Sequence, residues 1–193
     1  MKNNILVDIK ILYVEDDENI RKIFTKFLLR KTKHVEVAIN GEDGYIKFLE
    51  FNPDIIVSDI NMPKLNGLEM SKKIKKIIND IPIILTSAHN DAKYYTEAIA
   101  IGVNHYLSKP VNAEELLHSI ELYAKNLLFE RKQKEQEKIL QSVINSDKNI
   151  IVAFNSSSIV FSNKSFLHFY NVNNNNDFLN KYTHVFDTFL SEK

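Results

Sequence analysis

Between Ile9 and about Leu107 the chain alternates short apolar runs with longer amphipathic stretches five times over, and few folds accommodate that rhythm. The runs are IKILYV from Ile9, HVEVA from His34, IIVS from Ile55, PIILTS from Pro82 and HYL from His105. Each has the length of a strand, and most are rich in β-branched or aromatic residues, which suit a pleated and buried surface. Between them apolar residues recur with a helical period: Ile20, Ile23, Phe24, Phe27 and Leu28, then Tyr45, Phe48 and Leu49, then Leu68, Ile74, Ile77 and Ile78, then Tyr95, Ala98 and Ile99. A strand followed by a helix, repeated, makes every connection a crossover, so the strands run parallel and helices cover both faces. The expectation is a doubly wound α/β domain with a five-stranded parallel sheet. Its last helix opens at Asn112 with Glu115 three residues on, an N-cap with a reciprocal partner.

Past Phe129 the sequence becomes ERKQKEQEK, with neither Gly nor Pro to stop the helix until beyond Asn145. Strong helix formers of mixed charge predict a helix that leaves the globular body and is solvated all round. Apolar residues resume at Ile139, Leu140, Val143 and Ile144. The alternative is a parallel coiled coil between two chains, although the heptad register is poor across the charged stretch. After Ser146, NIIVAF, a turn at Asn155 to Ser158 and IVFSN read as a β-hairpin, followed by a short helix KSFLHFY. A loop NVNNNN and a helical DFLNKYTHVFDTFL complete the chain. Two strands and short helices close only a small core, so this segment is part of a domain or completes itself by docking or dimerising.

Composition narrows the chemistry. Twenty-five basic residues balance twenty-five acidic ones, which disfavours a strongly basic nucleic-acid binder or a polybasic membrane protein. The absence of Cys removes disulfide frameworks, thiolate zinc sites and thiol nucleophiles together. No apolar run approaches the roughly 18 residues that span a bilayer, and MKNNILVDIK lacks the apolar centre of a signal peptide. A soluble, cytoplasmic protein is expected.

In open α/β sheets the functional crevice lies at the carboxyl ends of the strands. The first strand ends in Glu15, Asp16 and Asp17, and the third in Ser58 and Asp59, followed by Ile60, Asn61, Met62 and Pro63. The fourth ends in Thr86, Ser87 and Ala88, and Ser108, Lys109 and Pro110 follow the fifth. Acids from two strands, a hydroxyl from a third and a lysine from a fourth therefore share one rim. Carboxylates about 4 Å apart repel by roughly 4 kcal/mol per pair at an effective dielectric near 20, so such a cluster calls for a cation. Oxygen-only ligation suits Mg²⁺, and a divalent ion beside a carboxylate and a lysine is what phosphoryl transfer requires. Asp59 becomes a candidate nucleophile for an aspartyl phosphate.

The segments ILYVEDDENIR, PDIIVSDINMPKLNGLEM, IPIILTSAHND and YLSKP, in that order, resemble the receiver domain of two-component response regulators from Ile9 to about Asn126. The resemblance implies a flavodoxin-like sheet of order 2-1-3-4-5, with Asp59 accepting a phosphoryl group from a histidine kinase or phosphotransfer protein. It implies Asp16 as a direct Mg²⁺ ligand, Glu15 assisting through water, and the backbone carbonyl of Asn61 as a further ligand beside Asp59. Lys109 pairs with the phosphoryl oxygens, and Pro110 matches a cis-proline position. The family spacing from Pro82 to Ala88 selects Ser87 over Thr86 as the switch hydroxyl, and Tyr106 matches the aromatic that changes rotamer with it. Asn61 and His89 sit where the family tunes hydrolysis of the acyl phosphate, His89 either positioning a water or filling the rim. The remaining histidines show no ligand spacing.

Such a module catalyses only its own phosphorylation and dephosphorylation, and any enzymatic output would lie beyond residue 193. A dimer or partner surface is expected on the face formed by Lys93 to Ile101, Tyr106 and the start of the last helix, or on the linker helix. The tail resembles the amino-terminal part of a PAS domain, chiefly through Ser162, Asn163 and Phe166. The expected division is a receiver over 1–127, a signalling helix over 128–145 and a partial PAS-like segment over 146–193. Two rivals stand beside this reading. A Mg²⁺-dependent aspartyl-phosphate phosphatase of the haloacid dehalogenase type needs a second aspartate where Asn61 stands. A pseudo-receiver that only binds a partner leaves Asp16, Asp59, Ser87 and Lys109 without a role. A basic recognition helix is not evident after the receiver, so direct DNA binding is not expected.

Overall fold

The structure is a computed structural model that describes residues 4–88, 92–155 and 158–182. It divides into two compact units, Met1–Phe129 and Glu130–Lys193. In the first, β1 (Lys10–Val14), α1 (Glu18–Leu29), β2 (His34–Ala38), α2 (Gly41–Phe51), β3 (Ile55–Asp59), α3 (Gly67–Lys75), β4 (Ile83–Ser87), α4 (Ala92–Ile101) and β5 (His105–Ser108) alternate without a break. The helix α5 (Ala113–Ser146) follows. All pairings in this sheet are parallel, in the order β2-β1-β3-β4-β5.

The period-two alternation of each strand divides the core into two layers. Leu12, Val14, Ile56, Ile83 and Leu85 point to one side, where Phe48 of α2, Leu68, Met70 and Ile74 of α3 and Ala98 of α4 cover them. Ile11, Tyr13, Ile55, Val57, Ile84 and Leu107 point to the other, against Leu28 of α1 and Leu116, Ile120 and Ala124 of α5. Every residue of β3 and of β4 is buried, as central strands of a doubly covered sheet must be.

Side chains in the connections start the helices. Asp17 accepts from the backbone N–H groups of Asn19 and Ile20 to cap α1, and Asn40 does the same for Glu42 and Asp43 at α2. Asn66 and Glu69 form a reciprocal capping box on α3, and Asn112 accepts from Glu114 and Glu115 at α5.

Several periodic positions depart from expectation. The third helix ends at Lys75, so Ile77 and Ile78 lie beyond it and are exposed. Ile23, Leu49, Tyr95 and Ile99 also face outward, because the buried stripe of each short helix is narrower than its apolar periodicity. In the second unit β6 (Val152–Phe154) and β7 (Ile159–Ser162) form the expected antiparallel hairpin, followed by α6 (Lys164–Phe169). The helix α7 (Asn175–Lys181) starts inside the Asn-rich run rather than after it. Asn174 caps it by accepting from Asp177, which turns an expected loop into a helix start. His89 and the expected helical stretch after Tyr182 lie outside the described residues.

Two tight approaches bind the rim together. A Cβ on Gly67 would lie 2.1 Å from the carbonyl oxygen of Asp59, and one on Gly41 would lie 2.3 Å from that of Leu65. Backbone cannot yield there, so α3 meets the end of β3 only through glycine. Gly67→Ala is expected to destabilise the protein by about 2–3 kcal/mol in urea unfolding. Gly102→Ala, with φ +81° but open space around it, should cost about 1 kcal/mol.

Candidate functional site

The sheet order places β1 and β3 side by side, with β4 and β5 following, and their carboxyl ends carry the acids, the hydroxyl and the lysine to one rim. Glu15 and Asp59 are 1% and 5% exposed, whereas Asp16 faces solvent. Carboxylate oxygens of Glu15, Asp16 and Asp59 lie within 4.8 Å of one another. Asp17 is not among them: its carboxylate caps α1.

Lys109 holds this group together. Its ammonium donates to Asp59 Oδ2 at 2.7 Å and to both oxygens of Glu15 at 3.1 Å. At an effective dielectric near 20, two such attractions of roughly 5 kcal/mol each outweigh one carboxylate repulsion of roughly 3.5 kcal/mol. The titration behaviour follows from the same geometry. Burial, reinforced by the charge of Asp59, keeps the Glu15 carboxyl above its ordinary value despite Lys109. Burial pulls Lys109 down, but Asp59 and Glu15 together outweigh it and raise its affinity for the proton. Beneath them the Tyr13 phenol is pushed well above the ordinary tyrosine value, by burial first and then by the charges of Glu15 and Asp59.

The donor set is all oxygen, with three acidic side chains against one ammonium. That combination fits a hard divalent cation such as Mg²⁺. Asn61 stands at the same rim and donates its backbone N–H to Asp59 Oδ1 at 3.4 Å. The peptide bond between Lys109 and Pro110 is cis, and the backbone N–H of Lys109 donates to the Ser87 carbonyl.

Strand alternation separates the two candidate hydroxyls. Thr86 lies opposite Asp59 in the ladder and its hydroxyl faces the Ser58 carbonyl at 3.5 Å. Ser87, buried, shares its face with Leu85, the ladder partner of Tyr106. Tyr106 packs on that same layer, its ring edge-on to Tyr95 of α4 at 5.7 Å between centroids.

Two residues at the rim carry no weight in the sequence reading. Arg21 donates to the carbonyls of Glu15 and Asp16, at 2.8 and 2.9 Å, and so pins the loop that presents both acids. A basic residue in the second turn after an acidic strand end is the signal that could have found it. Gly67, against the Asp59 carbonyl, is signalled by its place directly after the cap Asn66, in a chain with only four glycines.

Comparison with known proteins places these features in context. Residues 11–121 match the model of the response regulator receiver domain. The chain is 33% identical over 119 residues to the transcriptional regulatory protein DegU of Brevibacillus brevis, covering 60% of this chain and 50% of the relative. It is 34% identical over 131 residues to the probable C4-dicarboxylate response regulator DctR of Halalkalibacterium halodurans, covering 67% and 56%. The chain thus spans about half the length of the curated relatives it matches. Among solved structures, it is similar to the N-terminal domain of an uncharacterized protein from Wolinella succinogenes, with a TM-score of 0.61 and 36% identity over 63% of this chain and 98% of that one.

Replacing the shared cation should expose the cost of the acid cluster. In chelator, Lys109→Met is expected to lose roughly 3 kcal/mol of unfolding free energy, because two buried carboxylates then face each other unpaired. Adding Asp59→Asn to that variant should recover part of the loss. Urea titrations of the three proteins check both signs.

Proposed function

The chain belongs to the response regulator receiver domain family over residues 11–121, and on that premise we propose that it accepts a phosphoryl group on Asp59 in a Mg²⁺-dependent reaction and switches conformation. The donor is a histidine kinase or a phosphotransfer protein. The observation that carries the reading is Asp59 itself, buried at the end of β3 and gripped by Lys109 at 2.7 Å, with Glu15 and Asp16 converging on it. A structural carboxylate would be neutralised by its lysine alone, and two further acids would only add repulsion.

In the transfer, the P–N bond of a donor phosphohistidine breaks as a P–O bond forms to an Asp59 carboxylate oxygen, and the imidazole leaves. Glu15, Asp16, Asp59 and the Asn61 carbonyl would hold Mg²⁺, which when bound offsets the charge of the acids and of the incoming phosphoryl oxygens. Lys109 already reaches the acceptor and needs no large movement to pair with a transferred oxygen. Arg21 keeps Glu15 and Asp16 presented while this happens. Asn61 and His89 are assigned the tuning of acyl-phosphate lifetime.

The switch runs through the face opposite the acids. Ser87 moving toward the phosphoryl group would open space beside Tyr106, whose ring touches Tyr95 of α4. The change at Asp59 would reach the α4–β5–α5 surface by this route, where a partner can read it. For the remainder, we assign a signalling helix over 128–145 and a partial PAS-like segment over 146–193. Asn163 supports that assignment: fully buried, it accepts from Ile151 and Phe166 and donates to the carbonyls of Ile144 and Asn149. Phe166 beside it packs on Tyr170 and Phe178. Among the described residues no helix is long and apolar enough to cross a membrane, and the cytoplasm is the proposed setting.

Incubation with a small-molecule phosphodonor and Mg²⁺ should give a single phosphoryl mass gain that hydroxylamine removes. Asp59→Asn should abolish the gain, and chelator should suppress it. A wild-type protein that takes up no phosphoryl group would overturn the proposal.

A further inference from the structure

We propose that α5 pairs with α5 of a second copy of this chain as a parallel two-stranded coiled coil. Leu116, Ile120 and Ala124 spend the inner side of this helix on the sheet. On its outer side Leu122, Asn126, Phe129, Gln133, Gln136, Leu140 and Val143 follow one another at alternating spacings of four and three, and all are exposed. The large apolar members are open to solvent: Leu122 47%, Phe129 62%, Leu140 59% and Val143 61%. The heptad register, poor when apolar residues alone are counted, becomes continuous on this stripe. Between Glu130 and Lys138 the uncharged side chains are Gln133 and Gln136, and both fall on it. Charge is thus kept off one line through the most charged segment of the helix, which a helix solvated all round has no reason to do.

The flanks identify the occupant. With Asn126, Gln133 and Leu140 at a and Leu122, Phe129, Gln136 and Val143 at d, the g positions between them are Lys125, Lys132 and Ile139, and the e positions are Tyr123, Glu130, Glu137 and Ile144. In a parallel pair each g residue faces the e residue of the following heptad on the other helix. That sets Lys125 against Glu130, Lys132 against Glu137 and Ile139 against Ile144, two opposite charges and one apolar match, each made twice by symmetry. An antiparallel pair would set Lys against Lys and Glu against Glu. Asn126 at an a position further favours a two-stranded, in-register arrangement. The pairing is independent of the phosphoacceptor assignment.

Sedimentation equilibrium of the full chain is expected to show twice the monomer mass, with Leu140→Glu leaving only monomer. Lys132→Glu or Glu137→Lys alone should weaken the dimer about tenfold. An equimolar mixture of those two variants should restore it, because each then offers the charge the other lacks. Because the chain has no Cys, Val143→Cys reports orientation: two d positions meet near the helix end only in a parallel pair, so mild oxidation should give a covalent dimer. Far-UV circular dichroism of each variant should match wild type, since all four positions are exposed. A monomer up to roughly 0.5 mM would overturn the proposal. So would a dimer that survives Leu140→Glu and does not cross-link through Val143→Cys, or a mixture that fails to restore pairing.

Discussion

The ammonium of Lys109, placed between Asp59 and Glu15, is the interaction on which the rest of the rim depends. Three strands and their loops converge there, and without a cation two buried carboxylates would repel by several kcal/mol. The architecture answers this with a lysine carried on the loop after β5, the edge strand opposite β2. Its contacts reach 94 and 50 residues back along the chain, to Glu15 and Asp59. A single side chain therefore ties the last strand to the first and third. It also leaves Asp16 exposed and uncommitted to the lysine, with net negative charge for a metal to complete. The same charge balance serves stability and chemistry, because what holds Asp59 in place is the group that would stabilise a phosphoryl oxygen.

Much of this was legible in the sequence, for a physical reason. Strands buried on both faces must be continuously apolar, so IIVS and PIILTS announce themselves, and a doubly wound sheet gathers the residues that follow its strands onto one edge. That is why the strand ends pointed to one rim, where Glu15, Asp16 and Asp59 come together and Lys109 reaches two of them. What could not be read were features that depend on direction rather than pattern. Asp17 follows two rim acids yet turns away to cap α1. Arg21 looks like an ordinary exposed helix residue until its guanidinium is seen on the carbonyls of Glu15 and Asp16. The outward turn of Ile23, Leu49 and Ile99 shows the same limit, since a helical period marks a stripe but not its width.

The second unit is legible to a lesser degree because its core is small. Ile159, Phe166 and Phe178 form its buried centre, with Tyr170 and Tyr182 packed around them. The Asn-rich run was read as loop from composition, yet Asn174 uses its side chain to start α7. Asn is ambiguous in this way because the same short amide that favours turns also caps helices. In α5 two demands share one helix: an inner stripe for the sheet and an outer stripe kept clear of charge. Seen from the sequence alone the outer stripe is interrupted, because Gln133 and Gln136 count as polar.

The central claim is that Asp59, and not another acid of the cluster, receives the phosphoryl group. Borohydride reduction of the phosphorylated chain converts an acyl phosphate to an alcohol, so peptide mass spectrometry can locate it. The account predicts homoserine at position 59 and unmodified acids at 15 and 16. Homoserine at position 16, or labelling spread over several acidic residues, would contradict it.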